Sequence, residues 1–353
     1  MSDYQGTYTT NLNLSKDSVD DSYDVERVNS NSDKIDKWAG EVNTSLKDLA
    51  NPNILINGDF RKPINQRNFS RRSYTGSNWA YGIDRWVIGI LDSAGQSECV
   101  LNDGYISLKS KANDGCINIY QILENPHLYY GKTLTGSFKY RIVKGQPNSF
   151  NVSAYNNLVK NGAFFNSNTS ENKLIADGEW HVYTFTYTVS GQKLEDNFTS
   201  LLIGIGSLVK NVSDEDYTWV KPTVDTQIDI EWVKLELGSK ATPFIPRPYG
   251  EELALCQRYY YRWGNERARY RAVGINGNQL FFFVPLPTTL RIIPTINNAF
   301  SINTLSGAGV SDFTFAVNIV PMGMIVHATK STHGMSDGQL MLSDDGSLDA
   351  EIY

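Results

Sequence analysis

Three prolines within six residues, Pro243, Pro246 and Pro248, constrain this 353-residue chain more than any other stretch. Each fixes its own φ, removes a backbone donor and pushes the residue before it toward an extended conformation. No helix and no strand ladder can therefore run through Ala241–Gly250. Before this joint, Thr226–Leu237 alternates apolar and polar residues in the manner of a strand. After it, Cys256–Trp263 opens another β-like run. The chain is thus expected to carry two β domains on either side of a stiff connection.

The length allows two or three domains, each with its own core. Net charge is −6 with Lys and Arg dispersed, which argues against a nucleic-acid surface. The chain is rich in Asn, Ser, Thr and Gly, and its 20 tyrosines favour strands and turns and a surface suited to polar ligands. Three cysteines, Cys99, Cys116 and Cys256, form an odd set without metal-ligand spacing. All three are expected to be free thiols, with a Cys99–Cys116 pair left open. No basic and then apolar leader opens the sequence, and no apolar run reaches the roughly 18 residues of a membrane span. Neither export by signal peptide nor membrane insertion is expected. Asn-x-Ser/Thr triplets such as Asn68-Phe69-Ser70 are ordinary for this composition.

Residues 1–24 are polar and are expected to be extended, with little structure of their own. From Val25 a heptad seam begins, with Val25, Val28, Ser32, Ile35, Ala39, Val42, Leu46 and Leu49 spaced by three and four. A helix of about 25 residues would rise about 37 Å at roughly 1.5 Å per residue. Ser32 and Ala39 make the seam thin, so the helix would draw its stability from an oligomer. The alternative is an amphipathic helix packed on its own sandwich. Asn51-Pro52 ends it in either case.

Between Asn53 and Leu237 strand signals recur at Ile117–Gln121, Leu134–Ile142, Trp180–Val189 and Leu201–Ile205, separated by turns such as Asn102-Asp103-Gly104. About ten strands over 51–240 predict a two-sheet, jelly-roll-like sandwich. Leu134–Ile142 reads as half-buried, with water on one face. Trp79, Tyr81 and Tyr74 fall in a Gly/Ser/Asn-rich loop near Arg71 and Arg72. Aromatic planes beside polar groups suit a saccharide, because the rings cover its apolar face while the polar groups take its hydroxyls. The competing reading is that Trp79 and Tyr81 merely close one end of the sandwich. Tyr129-Tyr130 is a second candidate, also explicable as a packed turn.

Beyond the joint and a short helix at 241–255, residues 256–353 show six or seven strand signals, including Leu280–Val284, Arg291–Ile293, Asp312–Ile319, Met324–Ala328 and Gln339–Leu342. They predict a second small antiparallel sandwich. Phe281 and Phe283 on one face and Phe282 on the other predict burial from both sides, the outer side by a neighbouring copy. Trp263, Arg267, Arg269 and Tyr270, with Arg262 and Arg271, would suit an anionic polymer, since guanidinium binds phosphate bidentately. Pairing with acidic groups of a neighbouring subunit is the alternative. Catalytic signals are missing from the sequence. The runs Asp214-Glu215-Asp216 and Asp344-Asp345 are adjacent acids that would normally face water rather than the facing pair of a glycosidase, and calcium at either is left open although neither has the spacing of an EF-hand loop. His127, His181, His327 and His333 lack zinc spacing. No nucleophile elbow, phosphate loop or dinucleotide fingerprint occurs, and no metal or cofactor is expected.

Three stretches carry a resemblance. Leu235–Phe244, continuing through Arg247–Tyr260, resembles the joint of tail appendage proteins of tailed bacteriophages. Asn53–Phe60, with Ile64–Arg67 and Tyr81–Trp86, is similar to the opening of the carbohydrate-binding-module-like sandwich that those proteins carry. Asn11–Leu14 and Asn29–Asp36 resemble phage attachment segments. The resemblance implies a virion protein, made in the host cytoplasm, whose residues 1–24 dock to other tail or baseplate proteins. It implies a coiled coil at 25–50 that gathers a homotrimer, and non-catalytic attachment to host cell-surface polysaccharide, with the distal domain as first choice for contact. A structural connector or decoration protein is the rival reading, and a polysaccharide depolymerase a further one.

Overall fold

The computed structural model describes residues 7–16, 24–48, 50–145, 150–156, 163–166, 174–189, 199–210, 217–263, 268–276, 278–303, 309–310, 312–320, 323–331 and 340–352. The protein is mainly β, with antiparallel sheets throughout. Residues 1–52 with 241–245 pack as one unit, and residues 53–240 with 246–353 as a second.

In the first unit, β1 (Thr7–Tyr8) and β2 (Ser15–Lys16) form a hairpin, followed by helix α1 (Val25–Asp48). The stretch expected to be extended folds back because Thr9 and Leu14 exchange bonds and Asn13 adopts φ 51°. Asn31 on α1 then holds the hairpin, accepting from the Ser15 N–H at 2.9 Å and donating to the Ser15 carbonyl at 3.0 Å. Asp24 caps the helix, its Oδ1 accepting from the Glu26 N–H at 2.9 Å. Val25, Val28 and Ile35 are exposed, Val42 is half-buried, and Ser32 turns its hydroxyl back to the Val28 carbonyl. The side chain of Leu46, and Leu49 entirely, lie outside the described residues.

The second unit begins with β3 (Arg71–Ser73), β4 (Gly76–Tyr81), β5 (Val87–Asp92), β6 (Glu98–Asn102), β7 (Tyr105–Ser110) and β8 (Gly115–Ile122). It continues with β9 (Thr133–Lys144), β10 (Phe150–Asn156), β11 (Ala163–Asn166), β12 (His181–Thr188), β13 (Thr199–Ile205), β14 (Ser207–Lys210), β15 (Tyr217–Val220) and β16 (Thr226–Leu237). Two six-stranded sheets result, ordered β11-β10-β13-β8-β5-β4 and β12-β9-β16-β7-β6-β3. Their inner faces meet in one core that includes Phe60, Trp86, Ile88, Ile117, Phe138, Ile203, Ile230 and Val233. The alternation of β12 is as expected, with Tyr183 and Phe185 buried and Val182, Thr184 and Thr186 outside. The outer face of β9 is drier than expected: Thr135 and Ser137 are buried, and the Thr135 hydroxyl donates to the Gly238 carbonyl at 2.7 Å.

The inward alternation of β16 changes phase. Ile228 and Ile230 point in, and then Val233 and Leu235 do, because the register slips between Ile230 and Trp232. The segment Gly58–Phe60 fills that bulge: the Phe60 N–H donates to the Glu231 carbonyl and the Val233 N–H to the Gly58 carbonyl. Any Cβ at position 58 would collide with the Val233 carbonyl, so only glycine fits.

After the joint come α2 (Tyr249–Gln257), β17 (Tyr260–Trp263), β18 (Ala268–Asn276), β19 (Gln279–Pro285), β20 (Thr295–Asn303), β21 (Gly309–Val310), β22 (Thr314–Val320), β23 (Gly323–Thr329) and β24 (Leu340–Asp349). Strand β18 pairs with β24 through Ala268–Arg271 and with β19 through Ala272–Asn276, so it turns the corner between two half-sheets. Both halves supply one core: Leu280, Phe282, Val284, Met324 and Val326 from one, Trp263, Ile302 and Leu348 from the other. Arg291–Ile293, expected to be a strand, is an irregular bend in which Arg291 donates to the carbonyls of Ala350 and Glu351 at 2.9 and 2.7 Å. Strands β18 and β20 carry too many polar residues to be read as such from sequence. Phe282 is buried and Phe283 is exposed on the other face, as the alternation requires.

A buried polar knot joins the two β domains. Arg85, in the left-handed region at φ 71°, is 1% exposed and pairs with the fully buried Glu351. It also donates to the Ile122 carbonyl at 2.8 Å and lies over the Tyr259 ring at 3.6 Å. Arg67 reaches Asp349 at 3.2 Å and Glu351 at 3.3 Å while stacked 3.7 Å over Tyr260. Tyr81 donates its hydroxyl to the Ile352 carbonyl at 2.5 Å. Burial lifts the Asp84 carboxyl to about 6, against bonds from Gln66 and the charge of Arg67. The joint is tied in as well: Arg247 donates to the Leu55 carbonyl at 3.0 Å and pairs with Glu252, whose carboxylate accepts from the Asn57 N–H at 2.7 Å. Replacing Glu351 by Ala leaves Arg85 buried without its counter-charge. Glu351→Ala is expected to cost about 3–5 kcal/mol, read as a lowered urea midpoint for the second unit.

Candidate functional site

The outer face of the sheet carrying β4, β5, β8 and β13 presents a half-exposed indole beside a second aromatic ring. Alternation sends Ile88, Ile90, Ile117, Ile119 and Ile203 inward, so Trp79, Gly89, Asn118, Tyr120 and Gly204 face out. The register places Trp79, Gly89, Asn118 and Gly204 side by side on four consecutive strands. The Trp79 indole lies across Gly89, where a Cβ would strike the ring, and remains 42% exposed. Its Nε1 donates to the Ser77 hydroxyl at 3.1 Å, and its ring sits 6.1 Å from that of Tyr120 at 55°. Burial pushes the Tyr120 phenol up to about 12.

Asn118 stands between the two glycines. It is 2% exposed, and its Oδ1 has no hydrogen-bond partner among the described residues. That oxygen is sealed from solvent, packed at the same point over Gly89 that the Trp79 ring covers, and out of reach of a ligand. The face thus offers a half-exposed apolar plane flanked by the Tyr120 ring.

The residues grouped from the sequence do not stay together. They lie on β3, β4 and the turn between them rather than in an open loop, and β3 and β4 belong to different sheets. Arg71 pairs with Glu98 on the second sheet. Arg72 bridges inward, donating to the carbonyls of Ala80 and Tyr81 at 2.5 and 2.8 Å. Tyr74 is exposed in the turn, while Tyr81 is 7% exposed and committed to the knot. Only Trp79 remains on the outer face beside Tyr120. Trp263 is 5% exposed in the distal core, its ring over Gly346, and Tyr270 packs against that core. Their strands turn both toward that core, Trp263 fully and Tyr270 in part. Arg269 sits on β18, Arg262 on β17, and they pair with opposite ends of β24. Arg267, Asp214-Glu215-Asp216 and His333 lie outside the described residues. Tyr129 and Tyr130 close a 3-10 turn against the core. All three cysteines are free and buried, and burial raises the Cys99 and Cys256 thiols well above their ordinary range.

Tyr120 and Asn118 were legible in principle: Ile117-Asn118-Ile119-Tyr120 alternates, and its polar members had to face outward. A second cluster, on the opposite sheet, was not. There Tyr105 and Trp180 lie 6.0 Å apart, with Arg141 4.8 Å over Trp180. Asp229 beneath accepts from Arg141 at 2.6 Å, Ser107 at 2.7 Å and Gln227 at 3.0 Å. That network is internally satisfied and leaves a ligand little to complete. Among the described residues no group of three metal-ligating side chains comes together, and no helix is long and apolar enough to cross a membrane.

No protein-family profile matches the chain, and no curated protein sequence matches it. Solved structures to which it is similar include the enzymatically active domain of tailspike protein 4 of bacteriophage CBA120, at 12% identity over 53% of this chain and TM-score 0.28. The match spans 21% of that tailspike chain. A CBM4 structure matches at 18% identity, covering 52% of this chain and 98% of its own, with TM-score 0.27. The CBM22-1 xylan-binding domain of Xyn10C from Paenibacillus barcinonensis matches at 9% identity, covering 54% and 98%, with TM-score 0.28. At TM-scores this low the likenesses bear no weight for fold or function.

Gly89 is required by the ring above it, not by its backbone. Gly89→Ala is expected to cost about 1–3 kcal/mol through overpacking, measured by chemical denaturation, and to displace the Trp79 ring from its place across Gly89.

Proposed function

We propose that the central sandwich binds glycan through the Trp79 face, and that the chain is a non-catalytic virion attachment protein of the tailed-phage appendage kind. One observation carries the binding reading: a half-exposed indole lies across Gly89 on the outer face of the sheet, with the Tyr120 ring 6.1 Å away. A sugar ring stacked on Trp79 would gain apolar contact with the indole while its hydroxyls stay in water. Such a site is open and shallow and holds each ring weakly. Repetition in an oligomer turns weak contacts into firm attachment.

The phage reading rests on the resemblance of the joint, the Asn53–Phe60 opening and the N-terminal segment. In this reading the protein is made in the host cytoplasm, becomes part of the virion tail, and docks to other tail or baseplate proteins through residues 1–24. The host surface polysaccharide is the partner of the sandwich. The exposed Val25, Val28 and Ile35 supply the seam of a coiled coil, with a homotrimer as the assembly.

Two measurements check the two parts. On glycan arrays and by calorimetry with host polysaccharide, the wild-type chain is expected to bind saturably, and Trp79→Ala to lose at least about tenfold in affinity, the equivalent of one stacked ring. Absence of saturable binding, or release of reducing ends by the wild type, would remove the non-catalytic adhesin reading. In analytical ultracentrifugation the wild type is expected to sediment as a trimer and Ile35→Asp as a smaller species. A monomeric wild type would remove the stalk.

A further inference from the structure

At the seam between the two β domains Asp84 is fully buried, beside Arg85 in the turn between β4 and β5, and its two oxygens are served unequally. Oδ2 accepts from the Gln66 side chain at 2.8 Å and from the Gln66 N–H at 3.3 Å. Oδ1 has no hydrogen-bond partner among the described residues. Arg67 stands off at 3.9 Å from it, and the Arg67 Nε likewise has no hydrogen-bond partner among the described residues. The pair attracts across a gap that neither side chain closes.

The guanidiniums are committed elsewhere. Arg67 reaches Asp349 and Glu351 at 3.2 and 3.3 Å, and Arg85 pairs with Glu351. In this cluster two guanidiniums serve three carboxylates, and Asp84 is the one that neither of them hydrogen-bonds. Ionised, it adds a negative charge to a sealed space and repels Glu351, which belongs to the distal domain. A proton on Oδ1 removes that charge, and Oδ2 still accepts from Gln66. Gln66 in turn donates to the Tyr260 carbonyl of the distal domain at 2.7 Å. The other polar groups packed here are Cys256 and Glu252 from α2, Tyr259 and Tyr260 after it, and Tyr81 from β4. Glu252 is paired with Arg247, and Arg262 donates to the Gln66 carbonyl. Burial raises the Cys256 thiol and the Tyr259 phenol, so both keep their protons.

We propose that Asp84 is a proton-operated latch on the seam: neutral, it lets the distal domain dock fully against the central sandwich, and charged, it pushes against Glu351 and loosens that docking. The latch does not depend on the glycan reading. Its sign follows from burial. The carboxyl, lifted to about 6 in the folded chain, titrates at about 3.9 when unfolded. Between those values the folded chain holds a proton that the unfolded chain has lost. The stabilisation is therefore complete below about pH 4 and is lost as pH rises through about 6. A displacement of about two pH units corresponds to about 100-fold in the folding equilibrium.

The test is urea unfolding of the full chain, wild type against Asp84→Asn, from about pH 4.5 to about pH 8. Asparagine keeps an acceptor for Gln66 and cannot take the charge. The ratio of the variant's folding equilibrium constant to the wild type's is expected to rise roughly 25-fold from the acid to the alkaline end, the part of the full effect that this range spans. Histidines change charge in the same range in both proteins, so the ratio isolates Asp84. Docking itself is read from hydrogen exchange of the Arg85 amide, which donates to Glu351 at 3.3 Å across the seam. Its protection in the wild type, corrected for intrinsic exchange, is expected to fall as pH rises through about 6 and to stay level in the variant. The Asp84 carboxyl carbon, followed by NMR in the wild type alone, should titrate near 6 and keeps the latch testable if the variant does not fold. A ratio independent of pH, an Arg85 amide whose protection ignores pH, or a carboxyl carbon titrating near the ordinary value of about 3.9 would each overturn it.

Discussion

The ion pair between Arg85 and Glu351 is the interaction on which the arrangement of the two β domains depends. Two charges taken fully out of water cost several kcal/mol each to desolvate, and their mutual attraction roughly offsets that cost. Their main consequence is therefore selective. Any docking of the distal domain that misplaced Glu351 would strand a guanidinium in the interior. Arg85 even adopts a left-handed backbone to reach its partner, a conformation costing on the order of 1–3 kcal/mol in a non-glycine residue. Its bond to the Ile122 carbonyl and the Tyr259 ring hold it there, while Arg67 holds Glu351.

Around that pair the stretches that looked distinctive in the sequence converge. Asn57, at φ 61°, donates to the carbonyls of Ile64 and Asp84 and accepts from the Ile64 N–H, while Trp86 donates to the Asn57 carbonyl. Gly58 fits the bulge of β16, and Phe60 packs edge-on to Trp86 at 5.2 Å. Arg247 and Glu252 from the joint reach the same place. Within Asn53–Trp86, Asn57, Gly58 and Arg85 are committed to this architecture. The two sandwiches are accordingly one compact unit, although the prolines between them suggested separate bodies.

Aromatic rings lying on glycines recur across the sheets: Trp79 on Gly89, Phe185 on Gly136 and Trp263 on Gly346 are direct cross-strand pairs. The ring restores the packing that a missing side chain forfeits. The same device serves different ends according to which face it occupies. On the inner faces Phe185 and Trp263 fill cores, and on the outer face Trp79 is left as a half-exposed plane. Sequence reasoning grouped Trp79 with Tyr81 and Tyr74 in one candidate site and put Trp263 with nearby arginines in another, because all are aromatic and near polar residues. Burial separates them, and burial depends on strand parity across partners far apart in the chain.

By itself the sequence determined the local chemistry: strands where apolar and polar residues alternate, a helix from Val25, a stop at Asn51-Pro52, a break at the three prolines, free cysteines. Those outcomes follow from dihedral preference and periodicity, which act over a few residues. Tertiary structure decided which polar residues meet. The Arg85–Glu351 pair joins positions 266 residues apart, and Asn118 faces Trp79 only because three strands pair in one register. Neither relation leaves a local trace, since the bonds that fix it run across the sheets and between the domains rather than along the chain.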